Sequence, residues 1–455
     1  MVINTFEDAC NYIEETPKFT KKHSLEHTRE CLRRLGNPGK SFRVIHVAGT
    51  NGKGSTCAFL FSVLKKAGYR CGLFTSPHLT DIRERFIISE SEELTQQEKM
   101  VSKEEFLEVF NMVKRLGDKL EWEGKGHPTY FEMLFLMGML IFKRHDMQIV
   151  VLETGLGGRL DATTAADSPL ACVITSISID HTQYLGSTIP EIAYEKAGII
   201  VPGVPVIYCD ENTEASEVIR KKAAESGSLA IPVSMSDICV TKKGMEGIDF
   251  YLKNGYYVND IYHISFAAEY QVMNAALAVR TIGTLAKAEH LYVTDSQLAE
   301  GIASAAWPGR MEMIIPGVFI DGAHNEDGIR KFIQTAMHFQ ENHRLYLLFS
   351  AVNDKNYPEM IREICSSLKL EYVAATEVGG QRRVSADKLA ELFRKAGCMN
   401  ADAFENPSEA LEAAMERKSN DGCLFCVGSL YLAGIIRPEL IVITRREVMC
   451  KHDRL

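Results

Sequence analysis

The chain has 455 residues, 24% of them charged, and a formal net charge of −9. That length suggests two or three domains, each able to bury its own core. The negative balance excludes the basic footprint of a nucleic-acid binder and argues against docking on an anionic membrane surface, and the longest apolar stretch, Met133 to Phe142, is too short to cross a bilayer and reads as a buried helix.

The first eight residues are acidic and lack a signal-peptide pattern. Residues 5–36 read as helical with a break around Pro17, and Ser24 is placed to cap the second helix. His23 and His27 stand at i,i+4, a spacing that can reach a metal; the reading adopted is two surface histidines near a helix start. A strand over residues 43–48 ends abruptly at glycine. Gly49-Thr50-Asn51-Gly52-Lys53-Gly54-Ser55-Thr56 follows and opens a helix through residues 58–67. Glycines let the backbone turn tightly and bring its N–H groups close to a ligand. A strand, a glycine loop holding a lysine and a helix N-terminus together form an anion site suited to a nucleotide triphosphate. The spacing departs from the usual phosphate loop, because Gly54 rather than a hydroxyl residue follows Lys53.

A second strand, 69–74, runs into Thr75-Ser76-Pro77 at the sheet edge where open α/β folds bind ligands, which makes Ser76 a candidate metal ligand. Residues 89–103 are polar and read as a loop. His127-Pro128-Thr129-Tyr130-Phe131-Glu132 leads into the apolar helix. The strand 148–152 ends in Glu153, the usual position for a carboxylate that holds Mg2+ at a nucleotide. Residues 154–163, with Arg159 and Asp161 among glycines, read as a second active-site loop. A strand over 170–177 ends in Ser178-Ile179-Asp180-His181. Lys196, in Glu195-Lys196-Ala197-Gly198, reads on its own as a solvated helix lysine. Strand 204–208 and helix 215–224 continue the alternation. Residues 237–266 change to short alternating strands with Gly and Asn turns, an antiparallel patch, and a helix over 271–286 carries Asn274 in its first turn.

Trp307-Pro308-Gly309-Arg310 reads as a domain junction. Beyond it, a strand at 318–320 enters Asp321-Gly322-Ala323-His324-Asn325. Strand 344–349, helix 357–368, strand 371–375, helix 386–396 and strand 423–427 then form a second α/β unit. Cys423 and Cys426 make a C-x-x-C inside an apolar run and read as a buried strand pair, not as a zinc or redox site. With the irregular spacing of the 12 cysteines in all, this fits a reducing, cytoplasmic compartment. The alternation predicts a mostly parallel sheet with helices on both faces.

Taken in order, the glycine loop, Thr75-Ser76-Pro77, Pro128 to Glu132, Glu153 with its loop, Asp180-His181-Thr182, Glu195 to Gly198, Trp307 to Arg310, Asp321 to Asn325 and Gly428-Ser429-Leu430-Tyr431-Leu432 resemble the folylpolyglutamate synthases. These form a branch of the Mur ligase superfamily that in many bacteria combines this activity with dihydrofolate synthase activity. The resemblance covers nearly the whole chain. It implies an α/β fold, with an N-terminal P-loop-type Mur ligase ATPase domain over residues 1–306 and a smaller C-terminal Rossmann-like glutamate-ligase domain over 307–455. It implies a monomeric, ATP-dependent ligase that adds L-glutamate to a folate-type carboxylate through an acyl phosphate, with no nucleic-acid or membrane partner. Whether dihydropteroate is an acceptor as well as folates stays open.

The resemblance also implies roles. Asn51, Gly52, Lys53, Gly54 and Ser55 would wrap the ATP phosphates, and Asn274, Arg310 and Asp321 match further ATP contacts. Ser76, Glu153 and His181 match Mg2+ ligands. Lys196 matches a lysine that the family carries as a carbamate, an anionic oxygen pair where an ammonium would repel Mg2+. Lys53, Lys196 and His181 are thus the catalytic candidates. Thr129, Leu160, Asp161 and Ala162 fall where the family contacts the pterin. The chain departs from the family pattern at Thr164, Glu326, Asn356 and Ala268-Glu269-Tyr270, none of them a metal or phosphate position.

Two rivals stay open. Mur-type ligases of cell-wall precursor synthesis generally carry a full domain before the glycine loop; the short leader here and Gly54 favour the folate branch. A non-catalytic nucleotide-binding regulator would have no need for Lys53, Glu153, His181 and Lys196 together. A generic P-loop motor or switch fails on the loop spacing.

Overall fold

The computed structural model describes residues 3–17, 23–89, 98–166, 169–257, 260–378 and 380–452. They form two units: one of residues up to 243, 248–265 and 271–306, the other of 244–247, 266–270 and 307 onward. Two short segments therefore belong with the second unit although they precede Trp307 in the chain.

The first unit is built on an eight-stranded sheet of β1 (Arg43–Ala48), β2 (Cys71–Phe74), β3 (Phe86–Ser89), β4 (Glu98–Met100), β5 (Ile149–Glu153), β6 (Pro169–Ile174), β7 (Val206–Cys209) and β8 (Ala230–Val233). Its spatial order is β4-β3-β2-β5-β1-β6-β7-β8. The pairs from β2 through β8 are parallel and the β3 and β4 edge is antiparallel. β1 is central and buried at every residue but Arg43, which explains its unbroken apolar run: a strand covered on both faces has no polar side to alternate. Its register sets Val47 opposite Glu153 and Ala48 opposite Ile174, while Phe74 stands opposite Leu152. The carboxyl ends of β1, β2, β5 and β6 are thus level, and the candidate residues that follow them share one sheet edge.

The helix Lys53–Lys66 leaves this edge and is buried from Ser55 to Leu64. The apolar helix spans Tyr130–Arg144 and buries Glu132 to Phe142 in a core shared with Phe74, Phe86, Phe106 and Phe110. Of the segment read as a loop, residues 90–97 lie outside the described residues; β3 runs to Ser89 and Glu98–Met100 forms β4. A helix at Lys103–Trp122 follows, unread from the sequence and opened by Ser102, whose side chain accepts from the Glu105 N–H. The antiparallel patch is a three-stranded sheet of β9 (Ile238–Gly244), β10 (Gly247–Leu252) and β11 (Tyr262–Ile264), ordered β11-β10-β9.

The second unit carries a six-stranded sheet of β12 (Glu312–Ile315), β13 (Val318–Ile320), β14 (Leu345–Phe349), β15 (Leu370–Thr376), β16 (Ala401–Phe404) and β17 (Cys423–Val427), ordered β12-β13-β17-β14-β15-β16. All its pairs but the antiparallel β12 and β13 are parallel. β17, with both cysteines of the C-x-x-C, is buried throughout. Among the described residues no helix is long and apolar enough to cross a membrane.

Candidate active site

The glycine loop begins one residue after β1. Gly52 adopts φ 87° as N-cap of the helix Lys53–Lys66, a left-handed conformation that a side chain would strain. The loop is held from behind by the residues after β6. Thr175 Oγ1 donates to the Asn51 carbonyl at 2.7 Å, Ser176 Oγ donates to the same oxygen at 3.2 Å, and the Thr50 N–H donates to the Ser176 carbonyl at 2.8 Å. Lys53 Nζ folds back onto the Thr50 carbonyl at 3.0 Å. The first intrahelical bond runs from Thr56 N–H to Gly52 O, so the amides of Lys53, Gly54 and Ser55 have no partner within the helix. Amides at a helix start, with the dipole and a lysine beside them, form a phosphate cradle.

Asn274 belongs to this cradle. Its Nδ2 donates to Gln271 Oε1 at 2.9 Å, and Gln271 Nε2 donates to Ser55 Oγ at 3.1 Å. A Cβ on Gly52 would fall 2.2 Å from Asn274 Oδ1, so the Asn274 amide lies directly against the loop.

Next along the edge, the Ser76 N–H donates to Glu153 Oε2 at 2.9 Å, and the Glu153 side chain is buried. Ser76 Oγ is buried with no hydrogen-bond partner. A buried hydroxyl left unpaired is costly, and one beside a buried carboxylate makes an oxygen pair that fits Mg2+. His181 caps the short helix Thr182–Leu185 at φ 50°. Its side chain is 44% exposed, with Nε2 3.9 Å from Asp180 Oδ2.

The second glycine loop is tied down by its own residues. Thr154 N–H donates to the Val47 carbonyl at 2.9 Å. Asp161 accepts from the Leu156 N–H at 2.9 Å, the Thr163 N–H at 3.1 Å and Thr163 Oγ1 at 2.6 Å. Because the Thr163 hydroxyl donates to Asp161, its 2.8 Å bond to His46 assigns the imidazole proton to Nε2. Burial drives the His46 pKa down to about 4, so the ring is neutral. The Asp161 carboxylate thus shapes the loop from inside, while Leu160, 40% exposed, faces outward. The turn Ala162–Ala165 packs against the helix Tyr130–Arg144, whose N-cap is Thr129. The four residues matched to the pterin therefore lie on neighbouring elements.

Lys196 corrects the solvated-lysine reading. It is 4% exposed, and Nζ donates to the Gly49 carbonyl at 2.6 Å. The second loop lies along the end of its helix, Ile189–Ala197: a Cβ on Gly158 would fall 2.8 Å from the carbonyls of both Glu195 and Lys196, and Arg159 N–H donates to the Glu195 carbonyl at 2.7 Å. Lys196 is thus where the two glycine loops meet.

In the second unit, Asp321 follows β13 and is buried. It accepts from the Ala323 N–H at 2.7 Å and from the Tyr270 hydroxyl at 2.5 Å. Burial raises its pKa, opposed by Arg310. A Cβ on Gly322 would fall 2.8 Å from Arg310 Nη1, so Arg310 lies beside this turn. Sequence reading missed Tyr270, Gln271, Thr175 and Ser176. Gln271 had a signal, one turn before Asn274 on the same helix face; Thr175-Ser176 had another, since a hydroxyl pair at a strand end is the pattern already read at Thr75-Ser76.

A Mur ligase middle domain matches residues 47–282, and a Mur ligase glutamate ligase domain matches residues 309–430. The dihydrofolate synthase/folylpolyglutamate synthase of Bacillus subtilis (strain 168) is 35% identical over 446 residues, 96% of this chain and 100% of that protein. The chain belongs to the folylpolyglutamate synthase/dihydrofolate synthase family of Mur ligases. The folylpolyglutamate synthase of Lacticaseibacillus casei is 30% identical over 441 residues, covering 96% of this chain and 99% of that one. Among solved structures, E. coli FolC in complex with DHPP and ADP is 28% identical with a TM-score of 0.82, covering 98% of this chain and 99% of that one. The folylpolyglutamate synthase of Thermotoga maritima is also 28% identical, with a TM-score of 0.80 over 96% of each chain. The family, the two-domain α/β fold and the ligase class expected from the motifs are those of these relatives.

Proposed function

We propose that this ligase joins L-glutamate to a folate-type carboxylate at the expense of ATP through an acyl phosphate. The observation that carries the reading is the shared edge of β1, β2 and β5, where the Lys53 loop stands beside the Ser76 and Glu153 oxygen pair. Asn51, Gly52, Lys53, Gly54 and Ser55 bind the phosphates, and Asn274, Arg310 and Asp321 bind the rest of the nucleotide. Ser76, Glu153 and His181 would hold Mg2+, which when bound offsets phosphate charge. The substrate carboxylate attacks the γ-phosphorus and ADP leaves. The amine of L-glutamate then attacks the acyl carbon, the tetrahedral intermediate expels phosphate, and an amide remains. Lys53 and the loop amides hold the charge on the transferring group. Thr129, Leu160, Asp161 and Ala162 position the pterin. Residues 1–306 serve as the ATPase domain and 307–455 as the glutamate-ligase domain of a cytoplasmic monomer.

Lys196 acts as its carbamate. Carbamylation leaves one N–H, so the bond to the Gly49 carbonyl survives, and an anionic oxygen pair is added where the two loops meet. Lys196→Ala should lose most of the activity; wild-type turnover would remove Lys196 from the mechanism.

The deciding experiment measures phosphate release from MgATP with L-glutamate, run separately with dihydropteroate and tetrahydrofolate. Turnover with both, with a glutamate-sized mass increase in each acceptor, makes the ligase bifunctional. Turnover with tetrahydrofolate alone makes it a polyglutamylating enzyme, and turnover with neither overturns the folate reading.

A further inference from the structure

The two histidines read as surface residues are only partly exposed, the His23 side chain at 29%. His23 and His27 converge with Glu132, 105 residues further along, and the donor atoms of all three lie within 4.8 Å of one another. His23 precedes the helix Leu25–Arg34, His27 lies in its first turn, and Glu132 lies in the first turn of Tyr130–Arg144. The His27 side chain is 10% exposed.

The His27 tautomer is set by its surroundings. Nε2 stands 3.1 Å from the Gly126 carbonyl, an acceptor only, so Nε2 carries the proton. In the neutral ring Nδ1 is then a bare lone pair. It is buried with no hydrogen-bond partner and stands 3.9 Å from Glu132 Oε1. A ring nitrogen facing a carboxylate oxygen calls for a cation between them: a proton, which Glu132 favours by raising the His27 pKa, or a metal ion. His23 Nδ1 stands 3.0 Å from Glu132 Oε2.

We propose that His23, His27 and Glu132 form a transition-metal site of Zn2+ type, tying the helix Leu25–Arg34 to the head of Tyr130–Arg144. Two imidazole nitrogens and a carboxylate oxygen, with a fourth position for water, are a common Zn2+ donor set and a poor one for Mg2+, which prefers oxygen alone. Bonds of about 2.0–2.1 Å in a tetrahedron put donors about 3.4 Å apart; His23 Nδ1 stands 3.0 Å from one Glu132 oxygen and His27 Nδ1 3.9 Å from the other, with one donor atom from each residue within 4.8 Å of the rest. Outer partners are in place. Gly126 O orients His27, while Thr28 Oγ1 at 3.2 Å and Thr129 N–H at 2.8 Å orient the two Glu132 oxygens. This site shares no residue with Ser76, Glu153 and His181, and it rests on geometry alone, not on the proposed ligase reaction.

The test is a titration of the metal-free chain, without a histidine tag, with Co2+ followed by visible absorbance and with Zn2+ by calorimetry. Mg2+ and no nucleotide are present. One equivalent should bind with tetrahedral Co2+ bands. His23→Ala and His27→Ala should each weaken binding about tenfold or more, and Zn2+ should raise the thermal midpoint of the wild type but not of the variants. If His27→Ala fails to fold, His23→Ala, outside the helix, decides. Absence of saturable binding, or equal binding by wild type and His23→Ala, overturns the site.

Discussion

Single residues in this ligase do their work through partners far away in the chain. His46 on β1 shows the energetic side. Its pKa falls from 6.5 to about 4 through burial, so the unfolded chain binds the proton and the folded one does not. Its contribution to stability is complete above about pH 6.5 and is lost as pH falls toward 4, amounting to about 3 kcal/mol. Urea unfolding across that window should show the slope, and His46→Gln should flatten it. Glu132 titrates in a lower window: burial raises its pKa, but His27, the Thr129 backbone and His23 outweigh that and bring it to about 2. Its contribution is lost only as pH falls from about 4.5 toward 2. Ser76 separates structure from function. Ser76→Ala removes a hydroxyl with no partner, so stability should change by no more than about 0.5 kcal/mol. The Mg2+ concentration for half-maximal phosphate release should rise; an unchanged Mg2+ dependence would take Ser76 out of the metal set. Residue chemistry at strand ends was legible because glycine, lysine, serine and glutamate have few other reasons to stand there. Pairings across the chain were not. The departures Glu326 and Asn356 are bonded to each other, Asn356 Nδ2 donating to Glu326 Oε1 at 2.8 Å. Tyr270, another departure, donates to Asp321. No local pattern announces such pairs.

At the scale of elements, apolar runs that stop at a glycine, a hydroxyl or a carboxylate gave β1, β2, β5, β6 and β17, because strands buried on both faces cannot alternate. β8 was missed for the opposite reason: it is a sheet edge, half-exposed and holding Pro232, which suits an edge strand and blurs its pattern. The helix Lys103–Trp122 did carry a period, with Phe106, Val109, Phe110, Val113, Leu116 and Leu120 buried, but the sequence reading stops at the polar stretch 89–103 before it. Strand order was beyond reach, since β1 inserts between two strands about a hundred residues away and alternation fixes parallelism without fixing neighbours. In the second unit β17 is the centre. Phe425 stacks on Phe319 at 5.1 Å between ring centroids and meets Phe332 at 5.5 Å and Phe339 at 5.6 Å. Phe425→Ala should destabilise by about 3–5 kcal/mol, read as a fall in the urea midpoint.

For the whole molecule, the acyl phosphate is the claim that joins the parts, and oxygen labelling addresses it directly. With 18O in the acceptor carboxylate, one labelled oxygen should pass to phosphate in each turnover; label retained wholly in the amide and unreacted acid would exclude acyl phosphate formation. The molecule also carries a record of its own opening. Eleven cysteines, from Cys10 to Cys426, are free thiols. Burial pushes the Cys172 thiol up to about 12 and raises Cys426 further still, and only the thiolate reacts. Cys423 and Cys426, three strand residues apart, stand about 10 Å from each other, beyond disulfide reach. Alkylation of Cys172 in β6 and of Cys426 in β17 therefore waits for the core around each to come apart, and the two rates clock the unfolding of the two units separately within one sample.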